Sequence, residues 1–185
     1  MKYLSFFILL FIGELSVSAQ HMFSRQFPFF NQLSSNEIFS IHQDREGYFW
    51  IGTTNGLARY DGYQLNTFRT DYKNQNLLTD NGITAINDND LYVWIGTWKG
   101  LNLYNKQTCQ ITPFSDVRLL DKVVDAITVD KDGNVWVSAG GMIYRCDSTA
   151  HIIKEYEVGN IQEGYAISNI YVDPVSYTHL TLPTS

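Results

Sequence analysis

From Glu37 onward the chain alternates short apolar bursts with polar punctuation. "EIFSIH", "YFWIGT", "GLARY" and "QLNTF" follow one another between Glu37 and Phe68, separated by "QDREG", "TN" and "DGY". Each burst holds 5–6 residues, is rich in β-branched and aromatic types, and is bounded by Asp, Asn or Gly. That pattern predicts antiparallel strands joined by tight turns. The series then recurs as "GITAIN", "YVWIGT", "GLNLY" and "QITPF", and again as "VDAITV", "NVWVSA", "GMIYR" and "HIIKEY".

The recurrence is in register. Trp50, Trp94 and Trp136 lie 44 and 42 residues apart, and Asp44, Asp88 and Asp130 stand six residues before them. Tyr60 and Tyr104 follow their tryptophans by ten residues, and Tyr144 follows by eight, which predicts a shorter third hairpin. A period of about 40–50 residues marks propellers and solenoids, and four strands in such a unit make a propeller blade. The fold class expected is therefore all-β, an incomplete β-propeller of about three four-stranded blades plus the first strand of a fourth. The repeats are read as residues 33–76, 77–116 and 117–160, with a fourth starting over 161–174 at "YAISNIYVD". Residues held at repeated positions read as architecture. The tryptophans pack between blades, and Gly52 and Gly96 of "WIG" let neighbouring backbones approach closely. The third repeat has Ser138 in the glycine's place.

At Ile38, Ile41, Asp44, Gly47, Trp50-Ile51-Gly52-Thr53, Gly56-Leu57 and Tyr60-Asp61-Gly62 the chain resembles the two-component regulator propeller repeat. The resemblance runs from Leu33 to about Asp173 and weakens in the third repeat. It implies the periplasmic sensor region of a hybrid two-component system, of the kind found in glycan-degrading Bacteroidetes-type bacteria. In that family seven-bladed propellers precede an immunoglobulin-like domain, a membrane span and a histidine kinase, so this chain reads as an N-terminal fragment.

The termini follow a different logic. Lys2, the apolar "LSFFILLFI" and the small-residue "SVSAQ" predict a secretory signal over residues 1–19, cut after Ala19, with a lead-in over 20–32. This nine-residue stretch is too short to span a bilayer, which needs about 20. Residues 175–185 lack blade logic: a Trp is due at position 179, where His179 stands, and the tail resembles a cloning or assembly junction. The net charge of -6 argues against nucleic acid, which requires a concentrated basic face. Cys109 and Cys146 fall at different repeat positions and are expected to be unpaired.

Chemistry is sparse. His21, His42 and His151 show no metal-ligand spacing. "NDND" at Asn87 to Asp90 lacks the glycine and distal Glu of a calcium loop and reads as a solvated turn. No catalytic residue, metal or cofactor is assigned. Ligand contacts are expected where the repeat is broken: Trp98 replaces Thr54 in the turn after "WIGT", Lys99 is beside it, and Arg59 leads towards the next turn. The function expected is extracytoplasmic sensing of an oligosaccharide or other small ligand, with a secreted lyase or hydrolase and a protein-binding propeller as alternatives. Other expected partners are the remaining blades of a longer chain and, in the full-length sensor, a second copy. The expected location is the periplasm, with the longer protein anchored in the inner membrane.

Overall fold

In the computed structural model, which describes residues 29–70, 77–158, 167 and 169–172, each repeat forms its own sheet. Blade 1 comprises β1 (Ile38–Gln43), β2 (Phe49–Thr53), β3 (Gly56–Tyr60) and β4 (Leu65–Phe68). Blade 2 comprises β5 (Ile83–Asp88), β6 (Tyr92–Thr97), β7 (Gly100–Asn105) and β8 (Gln110–Pro113). Blade 3 comprises β9 (Val124–Val129), β10 (Val135–Ala139), β11 (Met142–Cys146) and β12 (Ile152–Glu157). Within each sheet the strands pair antiparallel in chain order. Three blades of an open propeller result. The first strands lie side by side, β5 against both β1 and β9.

Alternation along the strands explains how the blades meet. Trp50 and Gly52 face forward, towards blade 2, whereas Phe49 and Ile51 face the opposite way. A Cβ on Gly52 would lie 2.6 Å from Cγ2 of Ile83, and one on Gly96 would lie 2.7 Å from Cγ1 of Val124. The missing side chains are what allow the next blade's first strand to close on these positions. Trp50 and Leu57 then pack with Ile83, Ile86, Val93, Ile95 and Tyr104 of blade 2. Trp94, Leu101 and Phe114 pack with Val124, Ile127, Val135 and Val137 of blade 3.

Three sequence expectations need correction. Trp50 and Trp94 are fully buried, but Trp136 is only partly so. The first two indoles are covered by a complete following sheet, whereas Trp136 meets a smaller cluster that includes Ile167 and Ile170. Second, the third hairpin is not shorter. Trp136 pairs with Arg145 as Trp50 pairs with Arg59 and Trp94 with Leu103. Register therefore places Cys146, not Tyr144, at the position of Tyr60 and Tyr104.

Third, Asp88 is not the counterpart of Asp44 and Asp130; Asn89 is. Oδ1 of Asp44 accepts the Glu46 and Tyr48 amides, and that of Asp130 accepts the Asp132 and Asn134 amides. Asn89 does the same for Leu91 and Tyr92. The second turn is one residue tighter, which moves the acid-like position from six residues before the Trp to five. The substitution has a cost. Asp44 Oδ2 also accepts Trp50 Nε1 at 2.7 Å, and Asp130 Oδ2 accepts Trp136 Nε1 at 3.1 Å, but the buried Trp94 Nε1 finds no acceptor among the described residues.

The signal over 1–19, residues 20–28 of the lead-in, most of the fourth repeat and the 175–185 tail lie outside the described residues. Among those described, no helix is long and apolar enough to cross a membrane.

Candidate functional site

The turn between β6 and β7 is built to present its two central residues. Thr97 Oγ1 donates to the Gly100 carbonyl and accepts the Lys99 amide, while Thr79 Oγ1, which donates to Asn102 Oδ1, meets it from behind. Gly100 closes the turn at φ +130°, a conformation that side chains rarely adopt. Thr53 and Gly56 repeat the arrangement in blade 1. What differs is the residue displayed, Trp98 in place of Thr54.

Trp98 is 44% exposed. Its amide donates to the Gly82 carbonyl, and its ring lies on Gly82, where a Cβ would come within 2.4 Å of Cδ2. The indole also meets Phe39 of β1 edge-on, with centroids 6.2 Å apart. Phe39 is itself 56% exposed. Together they form an aromatic shelf where the first strands of blades 1 and 2 begin. Beside it the exposed Lys99 Nζ stands 3.8 Å from Oδ2 of the half-buried Asp80.

Phe39 escaped the sequence reading, although a signal was available. Register aligns it with Thr84 and Asp125, so it too breaks the repeat. Thr84 uses its hydroxyl to donate to the Val124 carbonyl, a blade-to-blade tie that Phe39 cannot make. Burial pushes the Asp125 carboxyl above its ordinary range.

Arg59 does not join the shelf. It lies opposite Trp50 near the start of β2, at the other end of the blade from the turn that carries Trp98. Its guanidinium sits 4.9 Å from the Tyr48 ring centre and donates to the Tyr104 hydroxyl. Arg145 occupies the same position against Trp136, 5.3 Å from its ring centre. Both arginines follow their tryptophans by nine residues, a recurrence the sequence already contained. Arg59 serves the seam with blade 2, whereas Arg145 contacts Trp136 and Asp130 of its own blade.

A second polar cluster lies between blades 1 and 2. Asp88, with its side chain 5% exposed, receives His42 Nε2 and Lys106 Nζ, each at 2.7 Å, and the Arg45 amide at 3.3 Å. Burial works to raise the Asp88 pKa, but hydrogen bonds from Lys106 and His42 outweigh it and hold the carboxyl below its ordinary value. Both carboxylate oxygens are engaged, so the cluster acts as a tie between blades. Among the described residues no group of three His, Cys, Asp or Glu side chains could hold a metal ion. Cys109 is exposed and Cys146 buried, both as free thiols.

Comparison with known proteins agrees with this architecture. Residues 32–55 match the family model described as two component regulator propeller, so the first blade carries that repeat. Among solved structures, the chain is similar to an extracellular domain from B. thetaiotaomicron assigned to the hybrid two component system BT3049. The identity is 25% and the TM-score 0.59, over 70% of this chain and 19% of that one. It is also similar to the extracellular domain assigned to BT4673 of the same organism, at 21% identity and TM-score 0.59, over 76% of this chain and 20% of that one. Virginiamycin B lyase from Staphylococcus aureus shares the fold at 19% identity and TM-score 0.57, over 74% of this chain and 45% of that one. The chain thus spans about a fifth of the length of the two extracellular domains. No curated protein matches it.

Proposed function

We propose that these blades belong to the periplasmic sensing propeller of a two-component system, and that the ligand is an oligosaccharide. The observation that carries this reading is the exposed Phe39–Trp98 pair. It breaks the repeat on a scaffold similar to extracellular domains of two-component systems. An indole face covers the apolar face of a sugar ring at little entropic cost. Lys99 and Asp80 are placed to donate to and accept from its hydroxyls. In this reading the blades act by binding and perform no catalysis. The N-terminal signal directs export, and a kinase region carried by a longer, inner-membrane-anchored sensor transmits the event.

Calorimetric titration with a panel of neutral and acidic oligosaccharides tests the reading. Trp98→Ala and Phe39→Ala should each weaken binding about tenfold or more, equivalent to ~1.4 kcal/mol. Both should unfold far less readily than Trp50→Ala, whose buried indole is worth about 3–5 kcal/mol. Unchanged affinity in both variants, or no binding by the wild type, would remove the shelf as the ligand site.

A further inference from the structure

The aromatic shelf rests on two features outside Trp98 itself. The first is in β1. Each blade's first strand carries a bulge at the same place, so Phe39, Thr84 and Asp125 are left without a direct partner on the next strand. A bulge re-aims the side chain it carries, and in β1 that side chain is aromatic. The second is Gly82. Register aligns it with Glu37 ahead of β1 and Val123 ahead of β9. The turn residues at the matching place are Trp98, Thr54 and Gly140. Trp98 and Thr54 donate their amides to the Gly82 and Glu37 carbonyls, at 3.1 and 3.2 Å. Volume is thus traded between two positions. Val123 goes with Gly140 in blade 3, and the largest turn residue goes with Gly82 in blade 2.

Gly82 lies outside the left-handed region that Gly56 and Gly100 occupy, so its backbone does not demand glycine. The indole does. A Cβ at Gly82 would stand 2.4 Å from Cδ2, 2.5 Å from Cε3 and 2.9 Å from Cε2 of Trp98. All three belong to the six-membered ring, and their near-equal distances put the glycine under the face of that ring. The support is braced from both blades. Asp80 Oδ1 accepts the Gly82 amide at 2.8 Å. The Asn81 carbonyl accepts the Gly56 amide at 2.7 Å, and its Oδ1 accepts the Thr70 amide at 2.8 Å. Backbone therefore covers one face of the indole and Phe39 meets its edge, which leaves the opposite face to solvent.

We propose that Gly82 is a positioning residue of the ligand site. By taking one face of the Trp98 indole it fixes the tilt of the other, which becomes a platform for a single pyranose ring stacked parallel to it. The proposal rests on the oligosaccharide reading above and adds what orients the ligand. The face of an indole is electron-rich, so it attracts the C–H groups of a sugar ring only when the two lie flat on each other. Tilt then matters as much as the presence of the ring. A side chain already held in place also loses less freedom when the ligand arrives. Any side chain at position 82 would lift the indole off its support and misalign the platform, although it touches no ligand itself.

Fluorine NMR of the chain labelled with 5-fluorotryptophan tests the support without any ligand. Four tryptophans give four signals, and Trp98→Ala identifies the relevant one. Gly82→Ala should shift the Trp98 signal, leave those of Trp50 and Trp94 in place and keep the urea midpoint near that of the wild type. An unmoved Trp98 signal overturns the proposal. If Gly82→Ala does not fold, Overhauser contacts between the Gly82 α protons and the indole in the wild type decide instead, and their absence overturns it. Calorimetric titration with gluco-, galacto- and manno-configured disaccharides then reads the platform. The disaccharide that the wild type binds should bind Gly82→Ala at least tenfold more weakly. Gly82→Ala combined with Trp98→Ala should bind no more weakly than Trp98→Ala alone, because the glycine acts only through the indole. Equal affinity in Gly82→Ala, or losses that add in the double variant, overturns the positioning role. If no disaccharide binds the wild type while the Trp98 signal still moves, the oligosaccharide reading falls and Gly82 stands as the residue that orients the indole.

Discussion

The link between Asp44 and Trp50 isolates one contact from its surroundings. Asp44→Asn keeps Oδ1, and with it the bonds from Glu46 N at 3.0 Å and Tyr48 N at 2.9 Å that hold the β1–β2 turn. It replaces Oδ2 by an amide group that faces the indole N–H as a second donor. Trp50 is wholly buried and Asp44 is 5% exposed, so water cannot easily restore the lost acceptor. A hydrogen bond to a charged group contributes about 1.5–3 kcal/mol, and an orphaned buried donor costs about 1–3 kcal/mol. A loss of about 2 kcal/mol is therefore expected. Asn89 shows that the turn itself tolerates the amide, because it makes the same pair of backbone bonds in blade 2.

Urea unfolding followed by tryptophan fluorescence is the assay. With a slope of about 2 kcal/mol per molar urea, the midpoint should fall by roughly 1 M. Asp44→Ala should cost more, since it also removes the turn. The Trp50 indole proton should exchange faster in Asp44→Asn, and that of Trp94 should be unaffected. An Asp44→Asn midpoint within about 0.2 M of wild type, with the Trp50 proton still protected, would refute the assignment of Asp44 as the indole's partner.

Three further outcomes are expected. Gly52→Ala drives a methyl to within 2.6 Å of Ile83, and the overpacked seam should lose about 1–3 kcal/mol in thermal or urea unfolding. Asp88→Asn leaves Lys106, whose side chain is 7% exposed, without its charge partner, at a cost of about 3–5 kcal/mol. Because Asp88 is held below its ordinary value when folded, its contribution is complete above the unfolded value of about 3.9 and disappears as pH falls through the folded value, so wild-type stability should drop more steeply in acid than that of Asp88→Asn. Burial pushes the Cys146 thiol up to about 12, so a thiol reagent should label native protein once, at the exposed Cys109, and twice only after denaturation.

The positions of the strands were legible in the residues, because period-2 apolar bursts bounded by Asp, Asn and Gly leave the backbone few alternatives. So was the repeat, since a 44-residue echo of "WIGT" has no other economical explanation. Trp98 could be singled out by the same comparison that made its neighbours architectural. Pairing could not be read from spacing alone. Counting from the tryptophan set Asp88 beside Asp44 and Tyr144 beside Tyr60, whereas hydrogen-bond register set Asn89 and Cys146 there. A turn that tightens by one residue changes the count without changing which side chain caps it.

Tertiary structure also decided which charges were spoken for. Arg59 looked free in the sequence, but it faces blade 2, and the Tyr104 hydroxyl that receives it comes from 45 residues away. His42 gained its acid partner from β5 across the seam, 46 residues on. The shelf arose in the same manner, when packing of β5 between β1 and β9 set Phe39 beside an indole from the next blade. Local sequence determined the strands, turns and blades, because those depend on neighbours within a few residues. Which faces are covered and which side chains remain available depended on contacts between blades, and these form only once two sheets close on each other.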